Sequence, residues 1–96
     1  MGTVTTLMEV IRALDSLDTE CTVYAAEPWT QVSAAVVARE PESGGLPEEV
    51  KRRGLRYFLE ISIARDLLED WSAHSGVKPT LQQKVERLIE YAISDA

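Results

Sequence analysis

The sequence predicts an α+β domain, with a small three-stranded, mainly antiparallel sheet and helices packed on one face, in the order helix, strand, strand, short helix, strand, helix, helix. Three observations carry this. The tetrads Thr6-Leu7-Met8-Glu9 and Thr80-Leu81-Gln82-Gln83 match the capping box, and each opens an apolar stripe of helical period. Extended-chain formers cluster around Val23 and again at Val36-Val37. The connection between those two runs is too short for a crossover helix, so they pair as a hairpin with an irregular turn.

The first helix starts at Thr6, and Leu7, Val10, Ile11, Leu14 and Leu17 form its apolar face while Glu9, Arg12 and Asp15 point outward. The pattern ends at Asp18-Thr19-Glu20. Cys21 to Ala26 reads as a strand, followed by a loop at Glu27-Pro28-Trp29-Thr30, because Pro28 removes a ladder donor. A second strand runs from Val32 or Ser33 to Arg39. Pro41-Glu42-Ser43-Gly44-Gly45-Leu46-Pro47 has the densest turn chemistry and is expected to be an exposed loop. Pro47 to Gly54 reads as a brief helix, with Pro and acids in its first turn, bases in its last and Gly54 as terminator.

Leu55 to Ser62 reads as the third strand, since Leu55, Tyr57, Leu59 and Ile61 alternate with Arg56, Glu60 and Ser62, and Phe58 interrupts the polar face. Ile63 to His74 then turns helical, with Leu67, Leu68 and Trp71 inward and Gly76 at the end. Leu81, Val85, Leu88, Ile89 and Ala92 carry the last helix nearly to the C-terminus. With 96 residues, enough for one hydrophobic core and too few for two, residues 1–96 are read as one domain.

Several function classes are set aside on chemistry. The longest uncharged apolar run falls well short of the ~20 residues of a bilayer span. The start has no basic-then-apolar leader pattern, and lone Cys21 closes no internal disulfide, so a cytoplasmic protein without a membrane partner is expected. His74, the only histidine, sits where a helix dipole favours its charged form, and no nucleophile signature accompanies it. One histidine and one cysteine do not make a zinc site, and Asp15 to Glu20 lacks the ligand alternation and central glycine of a calcium loop. The chain is therefore read as a non-enzyme with no metal or cofactor.

The sharpest lead is a gap in the basic residues. Between Arg12 and Arg39 there is no lysine or arginine, yet Asp15, Asp18, Glu20 and Glu27 lie there, with Tyr24 and Trp29 among them. An acidic surface holding large aromatic rings is the expected partner-binding site, with Trp29 either an anchor ringed by charge or a lid folded back over the sheet edge. A net charge of -6 and a pI near 4.7 select a basic protein rather than nucleic acid as first partner. The alternative patch is Lys51, Arg52, Arg53 and Arg56, beside Tyr57 and Phe58, which could track a phosphate backbone while a base stacks on a ring.

In size, acidity and lack of a catalytic set the chain resembles small inhibitors that shield bacterial cells or phages from nucleic-acid enzymes, the toxin-immunity and anti-CRISPR proteins. The likeness is one of bulk properties. It implies an inhibitor that occupies a basic cleft as a phosphate mimic, through Asp15, Asp18, Glu20, Glu27 and Trp29. Two other classes compete: a self-associating structural or accessory module, whose last helix would carry more apolar surface than its own core covers and make a homodimer, and a small nucleic-acid-binding regulator using the basic cluster.

Overall fold

The computed structural model describes residues 4–76 and 78–95. Residues 1–3, on which the reading of the amino terminus rests, lie outside the described part, as do residues 77 and 96. The elements are β1 (Thr5–Thr6), α1 (Leu7–Arg12) with a 3-10 turn at Leu14–Ser16, β2 (Thr22–Ala25), β3 (Ala34–Ala38), α2 (Glu48–Arg52), β4 (Arg56–Glu60), α3 (Ile61–Ser75) and α4 (Leu81–Asp95). The sheet has the order β1-β3-β2-β4, and every pairing is antiparallel.

The α+β architecture is as expected, with four strands in place of three. Thr5 and Thr6 pair with Ala35 and Ala34, and the N–H groups of Leu7 and Met8 donate to the carbonyls of Ser33 and Gln31. A two-residue strand has no periodicity to read; it exists because β3 is there to receive it. The Thr6 hydroxyl accepts from the Glu9 N–H at 3.2 Å, while the Glu9 carboxylate lies 3.4 Å from Arg12. At Thr80 both arms of the capping box close, Gln83 N–H to the hydroxyl at 3.2 Å and Thr80 N–H to Gln83 Oε1 at 2.9 Å.

The helices α1, α3 and α4 pack on one face of the sheet, as expected, and the short α2 covers the other. Leu7, Val10 and Ile11 of α1, Ala64 and Leu68 of α3, and Val85, Leu88 and Ala92 of α4 pack with Val23, Ala25, Ala35, Phe58 and Leu59. On the other face Tyr24 and Val36 meet Val50 of α2 and Leu55. Val50 is the one buried residue of α2, and its burial contributes about 1.5–3 kcal/mol, so this short helix is held by a single apolar side chain and its end cap. The cap is a Schellman motif: Leu55 N–H donates to Val50 C=O and Gly54 N–H to Lys51 C=O, with Gly54 at φ 71°.

The register between β2 and β4 slips by one residue, from Val23 opposite Leu59 to Tyr24 opposite Tyr57. Phe58 is the extra residue of a β-bulge. Phe58 and Leu59 therefore both enter the larger core, at 2% and 1% exposure, while Tyr57 is 40% exposed. The bulge is the reason Phe58 interrupts the alternation of this strand. β4 leads directly into α3 at Ile61, with Glu60 as N-cap, and Gly76 ends that helix at φ 70°. Among the described residues, no helix is long and apolar enough to cross a membrane.

Candidate partner-binding surfaces

The acidic stretch does not fold into one surface, because β2 runs through its middle. From Cys21 to Ala26 an extended chain covers roughly 17 Å at about 3.3 Å per residue, which puts Glu20 and Glu27 at opposite ends of the sheet. Antiparallel neighbours then bring bases to the acids. Arg39, just beyond β3, donates to Asp18 Oδ2 at 3.0 Å. Arg56 Nε lies 3.9 Å from Glu27 Oε1, and Arg65 Nε of α3 lies 3.8 Å from Asp15 Oδ1. The bases missing from the local sequence arrive from β3, β4 and α3.

At the Asp18 end, further carboxylates collect. Thr22 pairs with Ala38 on one side and Glu60 on the other, so Glu20, Glu40 and Glu60 converge there from three segments. All three are exposed, and among the described residues none has a salt bridge. The Glu20 N–H donates to Asp18 Oδ1 at 2.9 Å and fixes the turn into β2.

Tyr24 is corrected from surface residue to core residue, at 1% exposure. Its phenolic oxygen is buried and, among the described residues, has no hydrogen-bond partner. Burial raises its pKa above the usual 10.0, and the charges of Glu40, Cys21 and Glu60 push the same way. The Thr22 hydroxyl acts in the opposite sense without reaching hydrogen-bonding geometry.

Trp29 is half-buried and fixed. Its indole N–H donates to the Ala25 carbonyl at 3.2 Å, and its ring meets Phe58 edge-on, with centroids 5.1 Å apart. Ser33 ties the loop together: its hydroxyl accepts from Thr30 N–H at 2.8 Å and donates to the Pro28 carbonyl at 3.2 Å, beside a cis Glu27-Pro28 peptide. Trp29 is thus a lid on the larger core, and its outer part lines a groove of about 460 Å³ against Val85, Glu86, Ile89 and Glu90 of α4. Beside the buried stripe of α4, Ile93 is 61% exposed, and Val32 in the Trp29 loop is 73% exposed. The sequence reading missed Val32, Glu86, Glu90 and Ile93. Its available signal was Ile93, one turn beyond Ile89 and off the axis of the main stripe.

The alternative basic patch is smaller than its sequence. Arg53 bonds Glu49 at 2.9 Å, Arg56 stands against Glu27, and Phe58, expected as a stacking ring, is core. Lys51 and Arg52 are exposed and, among the described residues, have no salt bridge. Tyr57 is the accessible ring nearby in sequence. His74 is exposed, with Nδ1 2.8 Å from the Asp70 carbonyl. Among the described residues, no group of three or more His, Cys, Asp or Glu side chains is placed to hold a metal ion.

Comparison with protein-family models, with curated proteins and with solved structures finds no match.

Proposed function

We propose that this protein is a binding module that captures a basic protein, in the manner of the small acidic inhibitors of nucleic-acid-processing enzymes, and that it acts by occupying a basic cleft rather than by chemistry. The observation that carries the reading is the convergence of Glu20, Glu40 and Glu60 at one end of the sheet, exposed and without ion-pair partners among the described residues. Concentrated negative charge of this kind resembles what a phosphate backbone offers a basic cleft, and it accelerates encounter with one. Asp18 belongs to the same end, with its charge offset by Arg39. Asp15 and Glu27 lie outside this reading.

The test uses the whole protein as bait in extract of its source cell, washed at low and high salt, beside a Glu20→Lys/Glu60→Lys variant checked for folding by circular dichroism. A basic enzyme retained by the wild type, released by salt and lost by the variant supports the proposal. An enzyme retained equally by the variant removes this surface from it. A second reading, self-association, is favoured by the exposed Ile93 and Val32, and the mass of the protein in solution decides it.

A further inference from the structure

We propose that the groove between Trp29 and α4 docks a basic amphipathic helix of a protein partner, one apolar side chain seating between Trp29 and Ile89 while flanking Lys or Arg side chains meet Glu86 and Glu90. The inference deepens the reading of the protein as a binder of basic proteins and rests on it, but it assigns a different surface from the Glu20 end.

Four observations carry it. The floor is apolar: Val85 is buried, Ile89 is half-buried, and the exposed Ile93 and Val32 extend the apolar surface beyond the groove. The rim is negative: Glu86 and Glu90 stand one helical turn apart, both exposed, and among the described residues neither has a salt bridge. The neighbouring cation on α4, Arg87, is engaged elsewhere, over the Trp71 ring at 5.8 Å. The wall is preformed, because the hydrogen bond to Ala25 and the edge contact with Phe58 hold Trp29 before any ligand arrives.

These charges choose among occupants. A second copy packing α4 against α4 would bring two pairs of glutamates together around the isoleucines, a like-charge cost that a basic partner does not carry. Nucleic acid is repelled by the same carboxylates. Neither wall of the groove is a strand, so an extended peptide would find no ladder to join here. A helix satisfies its own backbone and presents side chains at i, i+3 and i+4, which suits a groove with an apolar floor and charged rim.

The test is an NMR titration of the whole labelled protein with a synthetic Leu/Lys amphipathic helix, and in parallel with its Leu/Glu counterpart. The Leu/Lys peptide is expected to move the Trp29 indole N–H signal and the amides from Gln82 to Ile93. Affinity should fall about tenfold or more in Glu86→Lys/Glu90→Lys and change less than about twofold in Glu20→Lys/Glu60→Lys. Shifts confined to the Glu20, Glu40 and Glu60 end would overturn the groove while leaving the basic-partner reading standing. Equal binding of the Leu/Glu peptide, no binding of either, or a dimer that Ile93→Lys dissociates would overturn it as well, and the bait experiment judges the broader reading separately.

Discussion

Tyr24→Phe should stabilise the protein, although it deletes a polar atom from a natural core. The Tyr24 oxygen is sealed between the sheet and α2 with no hydrogen-bond partner among the described residues, so folding removes a hydroxyl from water without a protein hydrogen bond in return. An unpaired buried group of this kind costs about 1–3 kcal/mol, and the small void left by its removal takes back part of that, for a net gain of about 1 kcal/mol. In urea, with a denaturant slope of about 1–3 kcal/mol per molar, the midpoint should rise by roughly 0.3–1 M. The same oxygen supplies a second readout. Because burial raises its pKa above 10.0, the unfolded chain releases the phenolic proton first as pH rises. The stability linked to Tyr24 is fully present below about pH 10 and is lost between there and the folded pKa, at up to about 1.4 kcal/mol per pH unit. The advantage of Tyr24→Phe over the wild type should therefore widen above pH 10. A variant that unfolds at lower urea than the wild type would show that the hydroxyl has a partner, and an advantage that stays constant through pH 11 would show that burial does not hold its proton; either result refutes the argument.

Trp29→Ala removes a half-buried ring, its edge contact with Phe58 and its bond to the Ala25 carbonyl, and should lower stability by about 2–3 kcal/mol; a thermal melt checks this, with Trp29→Phe losing less because the ring contact survives. Arg39→Ala breaks an ion pair whose side chains are 67% and 48% exposed, so stability should change by less than about 0.5 kcal/mol in urea unfolding. Under the proposed function the same change should quicken association with a basic partner in a stopped-flow measurement, because it removes the cation that offsets Asp18.

What was legible in the sequence was local. Both capping boxes, the helix stripes, the Gly54 terminator and the β-branched runs each state a backbone preference over a few residues, and the chain adopts them with boundaries shifted by one or two positions, except that the first helix, expected to run to Leu17, ends at Arg12 and is followed by a separate 3-10 turn at Leu14–Ser16. What was not legible depends on which distant segments meet. β1 has no pattern of its own, and the Phe58 bulge becomes visible only when β4 lies beside β2. The acidic stretch misled for the same reason. A run without bases says nothing about Arg39, Arg56 and Arg65, which arrive through antiparallel pairing and helix packing, nor about Glu40 and Glu60, which the same pairing adds at one end. Tyr24, read from its residue type as an interface ring, lies on the sheet face that α2 closes. Trp29 was placed in its loop with two readings open, anchor and lid, and its contacts with Phe58 and the Ala25 carbonyl make it a lid.

The extra residue at Phe58 also bears on how the sheet behaves among other proteins. β4 forms one margin of the sheet, and a long regular margin strand offers a straight row of N–H and C=O groups on which any extended chain can template, the usual beginning of aggregation. Here that row is five residues long, interrupted by a bulge, and ends abruptly in a helix. Strand addition finds poor purchase on such a margin, so the sheet is spared the indiscriminate partners that would come through its backbone.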